Sequence, residues 1–137
     1  MYVLIVGCGR LGSQIATNLS RSGSNVVVVD RNKEAFNLLS ADFSGFQDVG
    51  DGTEQEVLRN AGVSDADVVA AVTDNDNANL MIAQVSKEIF GVKQVLARVG
   101  DPSKSKIYER LGVRVLSTTT VSAETFENEI LRSRKVD

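Results

Sequence analysis

Apolar, β-branched runs recur along the chain at 2–6, 26–29, 68–72, 95–99 and 113–116, with a weaker one near 45–49. Between them the pattern is helical. Leu11, Ile15 and Leu19 stand at i, i+4 and i+8, one face of a helix. Residues 33–42, 54–61, 78–90 and 103–111 are further helix candidates. Gly23, Gly62, Gly91 and Gly112 each follow such a run, where a left-handed cap favours glycine. Asp101 followed by Pro102 reads as an N-cap and first helical residue. Strands alternating with helices predict an α/β fold: a doubly wound, six-stranded parallel sheet of Rossmann type. With no linker or repeat, residues 1–137 read as one domain, with no room for a separate catalytic one.

Two helices carry more apolar surface than a lone domain needs. In 78–90, Leu80, Met81, Ile82, Ala83, Val85, Ile89 and Phe90 go most of the way round, so one face meets the sheet and the other a partner. The alternative is a deeply packed core helix. The last helix, about 121–133 within a segment 119–135, places Ala123, Phe126 and Ile130 at i, i+3 and i+7. It follows the sixth strand, so its stripe packs back on its own domain or crosses to another subunit.

Candidate chemistry begins at Gly7-Cys8-Gly9-Arg10-Leu11-Gly12, between the first strand and the first helix. Gly7 allows a tight turn, Gly9 lets a pyrophosphate approach the backbone, and Gly12 lets the helix pack against the sheet. The helix N-terminus offers free N–H groups to phosphate. Asp30 ends the second strand, eighteen residues after Gly12, where a carboxylate accepts from ribose hydroxyls. It favours an unphosphorylated ribose, hence NAD(H) or an adenine nucleotide over NADP, although the neighbouring Arg31 softens that preference. Arg10 reaches a terminal phosphate or stands solvated.

The other strand ends add polar groups at the edge where open α/β sheets bind ligands. Asp51-Gly52-Thr53 follows the third strand, and Thr53 with Glu56 fits a capping box. Thr73-Asp74-Asn75 follows the fourth, as ligand contacts or as a polar loop with a helix cap. Arg98 lies near the end of the fifth. Cys8 reads as a small apolar residue sooner than as a redox switch.

Composition narrows the classes. A net charge of −3 argues against non-specific nucleic-acid binding. No apolar run reaches eighteen residues, and the start lacks a signal-peptide pattern, so a cytoplasmic protein is expected. One cysteine and no histidine argue against a disulfide and a zinc site. The missing histidine also weighs against a proton-moving dehydrogenase, and no catalytic residue is assigned.

These residues, with Val29-Asp30, Gly50-Asp51-Gly52-Thr53, Asp65-Ala66-Asp67, Ala71-Val72-Thr73, Ala97-Arg98-Val99 and Glu109-Arg110-Leu111-Gly112-Val113, follow one another in the order of a known family. The chain resembles the nucleotide-binding N-terminal domain of RCK (KTN, Trk-type) regulators of potassium channels and transporters. The resemblance implies a cytoplasmic regulatory domain, peripheral to the membrane through its partner, that binds NAD(H), AMP, ADP or ATP. It implies a homodimer or larger ring beneath a membrane-embedded potassium channel or transporter subunit. It implies phosphates on the glycine loop, ribose on Asp30, a terminal phosphate at Arg10, Arg98 near the phosphates, and a crossover role for the last helix. Many members carry Pro-Glu after the sixth strand, where this chain has Ser117-Thr118-Thr119-Thr120. That departure turns the expectation from Mg-ATP toward a mono- or diphosphate or a dinucleotide. The alternative is a small NAD-dependent oxidoreductase or a fragment of one.

Overall fold

The structure is a computed structural model. It describes residues 1–136, with the side chains of residues 104, 135 and 136 left out of the description. Six strands, β1 (Tyr2–Val6), β2 (Asn25–Asp30), β3 (Phe46–Val49), β4 (Val68–Ala71), β5 (Gln94–Val99) and β6 (Arg114–Ser117), form one sheet in the order β3-β2-β1-β4-β5-β6. Every pairing is parallel. The doubly wound sheet read from the sequence is the one observed.

The five helices are α1 (Arg10–Arg21), α2 (Gln55–Asn60), α3 (Asp76–Glu88), α4 (Ser105–Arg110) and α5 (Thr118–Val136). Successive residues on a strand point to opposite faces, and the core divides accordingly. Leu4, Val6, Val27 and Val29 pack with Leu58 of α2 and with Leu80 and Ile82 of α3. Val3, Ile5, Val26 and Val28 pack with Ala16 of α1 and with Phe36. Nearly all these side chains are fully buried, the Val, Leu, Ile and Phe ones each contributing roughly 1.5–3 kcal/mol of transfer free energy. Tyr2 opens β1 and donates its hydroxyl to Ala61 O; burial, with Asp48 and Asp65 nearby, raises its pKa.

Several helices are shorter than the periodicity suggests. The candidate at 33–42 is a 3-10 helix over Lys33–Leu38. At Leu39 the backbone turns extended, and the next residues are claimed by α1. Ser40 N–H donates to Thr17 Oγ1, and Arg21 donates to Ser40 Oγ and both oxygens of Asp42. These contacts hold the chain off a helical path. The segment after Asp101 starts as a 3-10 turn, Pro102–Lys104, before α4, with Asp101 accepting from Ser103 N–H as the cap reading requires.

The helix α3 buries Leu80, Ile82 and Ala83 but leaves Met81 exposed, and Ile89 just beyond its end as well, so it is not buried all round. The stripe on α5 does not return to its own domain. Phe126 and Ile130 are 71% and 67% exposed, and the helix packs chiefly through its start, beside β6.

Candidate functional site

The sheet order reverses between β1 and β4, and a cavity of about 1030 Å³ opens there at the carboxyl ends of the strands. This crevice is where open α/β sheets bind ligands. Its wall brings together the glycine loop (Gly7, Cys8, Gly9, Arg10, Leu11), Asp30 and Arg31, Asp51-Gly52-Thr53, Thr73-Asp74-Asn75 and Arg98. Of the candidate ligand-binding residues named from the sequence, Gly12 alone is not in the wall.

The three glycines of the loop do different jobs. Gly7 has φ +108°, donates to Val29 O at 2.8 Å, and has no room for a Cβ, which would stand 2.8 Å from Thr73 N. A Cβ on Gly12 would stand 1.8 Å from Gly7 O, so this residue lets α1 press against the loop. Gly9 is different: a Cβ there would meet nothing within 4 Å, and φ is −79°. The protein's own packing does not require glycine at position 9. It leaves bare backbone facing the cavity. Gly9 is also the N-cap of α1, with no side-chain cap and no acid in the first turn. The positive end of a twelve-residue helix is therefore presented to the cavity with no cap or acid of its own, the disposition that receives phosphate.

Asp30 faces that loop from the end of β2. Its Oδ2 accepts from Cys8 N–H at 2.7 Å and its Oδ1 from Asn32 N–H at 2.8 Å. The carboxylate ties the glycine turn to the end of the neighbouring strand. Cys8 is fully buried; its thiol pKa is pushed up to about 11, by burial first and then by Asp30. It packs as a small hydrophobe, since the thiolate is the reactive form.

The turn after β3 departs from the capping-box reading. Thr53 donates both N–H and hydroxyl to Asp51 Oδ1, at 2.9 and 2.7 Å. Those bonds, with Arg31 nearby, hold the Asp51 carboxyl below its usual pKa. The N-cap of α2 is Glu54, without a side-chain cap, and Glu56 pairs with Arg59 at 2.5 Å. Asp51 won Thr53 because it sits two residues before it, the spacing of a side-chain turn.

Beyond β4, Thr73 and Asn75 are engaged locally. Asn75 caps α3 by accepting from Ala78 N–H. Thr73 is held by Asn79, which the sequence reading did not single out. Asn79 is fully buried; its Oδ1 accepts from Thr73 N–H (2.9 Å) and Oγ1 (2.6 Å), and its Nδ2 donates to Thr73 O (3.0 Å) and Arg98 O (2.9 Å). One amide thus joins the ends of β4 and β5, and the Arg98 guanidinium completes the link by donating to Thr73 O at 3.2 Å. Asn32, Ala35, Leu38 and Ser122 also line the cavity without having been expected there, as does Thr118, from the stretch that stands in place of the family's Pro-Glu. A polar residue early in a helix carries no sequence signal that it will be buried, and the last two arrive only because α5 starts beside β6.

Guanidinium groups of Arg10, Arg31 and Arg98, carboxylates of Asp30, Asp51 and Asp74, and an uncapped helix end therefore share one crevice. The arrangement suits a ligand with both phosphate and hydroxyl groups. Among the described residues no group of three or more His, Cys, Asp or Glu is placed to hold a metal ion.

The family model for the TrkA-N domain matches residues 3–119. The chain is 39% identical over 133 residues to a Trk system potassium uptake protein TrkA of Streptomyces coelicolor, covering 97% of this chain and 60% of that relative. It is 26% identical to a structure described as Shewanella denitrificans Kef CTD in AMP bound form, with a TM-score of 0.81, over 96% of this chain and 80% of that one. The structure of the GsuK channel bound to NAD shares the fold at 22% identity and a TM-score of 0.81, over 97% of this chain and 24% of that one.

Proposed function

The chain belongs to the TrkA-N domain family, and from that premise we propose that it is the nucleotide-binding domain of a regulator of potassium transport. The observation that carries the site is the bare Gly9 at the uncapped start of α1, facing Asp30 across the glycine turn. In this reading the N–H groups of the loop and first turn hold phosphate. Asp30 turns toward a ribose, and the exposed Arg10 reaches a terminal phosphate of its own ligand or a neighbour's. Arg31 and Arg98, with the Asp51-Gly52-Thr53 and Thr73-Asp74-Asn75 turns, complete the wall.

The ligand is NAD(H) or an adenine nucleotide. The relative carrying AMP and the fold neighbour carrying NAD support that class. The first turn of α5 carries hydroxyls and no acid, which favours a ligand bound without a metal carboxylate.

The chain spans 60% of the length of the TrkA relative, and the regulated system is part of the proposal. It acts from the cytoplasmic side as a homodimer or larger ring on a membrane-embedded potassium channel or transporter. The exposed stripe of α5 crosses to another subunit. No helix among the described residues is long and apolar enough to cross a membrane. Regulation follows if a nucleotide binds two assembly states unequally and shifts their populations.

The test is a thermal-shift titration with AMP, ADP, ATP, NAD and NADH. A ligand that binds only the folded state at a hundred times its Kd adds about 2.7 kcal/mol of stability. A shift with none of the five sinks the site; binding without effect on potassium flux through the cognate transporter sinks the regulatory role.

A further inference from the structure

The cavity reaches across both halves of the sheet. Asp30 ends β2 and Gly9 follows β1, and those two strands are neighbours. A ribose on Asp30 with its phosphate on the glycine loop therefore stops at the reversal between β1 and β4. The wall does not stop there. It continues past β4 with Thr73-Asp74-Asn75, along β5 to Arg98, and past β6 to Thr118 and Ser122 of α5. From β1 to β6 is three strand spacings, about 14 Å. The volume of about 1030 Å³ stands at the top of the roughly 300–1,000 Å³ that small-ligand pockets span. A nucleoside monophosphate leaves the far side of this wall untouched, and a second nucleoside has room there.

Most polar groups on that far side are engaged within the protein. Thr73 is held by Asn79, Asn75 caps α3, and the Arg98 guanidinium donates to Thr73 O. The hydroxyls of Thr118 and Ser122 have no hydrogen-bond partner among the described residues. Thr125 and Ser133, further along the same helix, donate to carbonyls one turn back, Val121 O and Glu129 O. Thr118 and Ser122 open an i+4 row on α5 that continues as Phe126 and Ile130. Within that row the two positions in the wall are hydroxyls, and the two beyond it are exposed apolar side chains. Charge on the far wall is balanced, Arg98 against Asp74. A run of further phosphates needs an excess of cations, whereas a ribose needs neutral donors and acceptors, which is what two free hydroxyls supply.

We infer, taking the cavity as the nucleotide site proposed above, that Thr118 and Ser122 bind the second nucleoside of a dinucleotide and so separate dinucleotides from mononucleotides. Their hydroxyls exchange hydrogen bonds with its ribose, a group that a nucleoside monophosphate does not carry beyond its phosphate. The opening turns of α5 thus touch a long ligand and not a short one.

The experiment is calorimetric titration of the full chain with AMP and with NAD. The parent is expected to bind both. Thr118→Val/Ser122→Ala is expected to bind NAD at least about tenfold more weakly and AMP within about twofold of the parent. Ser122 is exposed, so Ser122→Ala alone puts no burden on folding, and it is expected to weaken NAD about threefold. Thr120→Val, on the same helix but outside the wall, is expected to change neither ligand. NAD affinity unchanged in the double variant overturns the inference, as does equal weakening of both ligands. A parent that binds AMP but not NAD overturns it and leaves a mononucleotide site standing. A parent that binds neither overturns the nucleotide reading of the cavity, and this inference with it.

Discussion

Asp30 Oδ2 accepts from the Cys8 backbone N–H at 2.7 Å, so the proposed ribose-binding carboxylate also braces the glycine turn. Removing it has two separable effects. Asp30→Ala leaves the Cys8 and Asn32 N–H groups without this acceptor, and a hydrogen bond to a charged group is worth about 1.5–3 kcal/mol. The variant is expected to lose about 2 kcal/mol in urea denaturation and to lose the nucleotide-induced thermal shift. Asp30→Asn keeps an acceptor for Cys8 and is expected to recover most of the stability but not the shift. Recovery of both would assign Asp30 to the turn alone.

The glycine loop separates packing from ligand approach. Gly12→Ala drives a methyl into Gly7 O and is expected to cost about 3 kcal/mol, the upper end of ordinary overpacking. Gly9→Ala meets open space at an ordinary φ and is expected to melt within a degree or two of the parent. It is nevertheless expected to weaken nucleotide binding at least tenfold, because the new methyl occupies the phosphate's approach. Unchanged affinity in Gly9→Ala would remove phosphate from the loop.

Cys8 gives the chain a pH signature at the alkaline end. Its thiol pKa rises from 9.0 to about 11 on folding, with burial the larger cause. Between those values the folded state retains a proton that the unfolded state releases, so this group's contribution is full below pH 9 and declines as pH rises toward 11. Cys8→Ala is expected to flatten that part of the stability profile. Native protein at pH 8 is expected to resist a thiol-directed disulfide reagent and to react fully once unfolded. Rapid labelling of the native chain would return Cys8 to the list of redox candidates.

Asn79 joins β4 to β5 through four hydrogen bonds from one buried amide. Asn79→Ala takes the side-chain partner from the Thr73 N–H and from Arg98 O, while Thr73 O keeps the Arg98 guanidinium, and an unsatisfied buried group costs about 1–3 kcal/mol. The expected loss is about 3 kcal/mol in chemical denaturation. Asn79→Asp removes both donors while adding charge, and is expected to be at least as damaging. A loss under about 0.5 kcal/mol would mean that water replaces the amide.

How far the sequence carried the reading depends on the range of the interaction involved. Strands announced themselves because an apolar run is a local property; even the weak one near 45–49 is a strand, β3. The glycine loop and Asp30 were legible because their spacing implies strand, turn, helix and strand. The helix at 33–42 was over-read because Arg21 and Thr17, distant in sequence, capture Ser40 and Asp42. The role of Thr53 was misassigned because Asp51 competes for it. Asn79 and Ser122 were not found because each acquires its neighbours only when the chain folds around the sheet.

The helix α5 has a consequence for the chain as a detector. Nineteen residues are near the length at which an isolated helix is only marginal in water, and most of this one touches nothing of its own domain. In the proposed assembly its order comes from a second copy, and the fraction of chain that is helical is then tied to the number of copies present. Dilution should reduce ellipticity without unfolding the sheet, making local secondary structure a gauge of concentration.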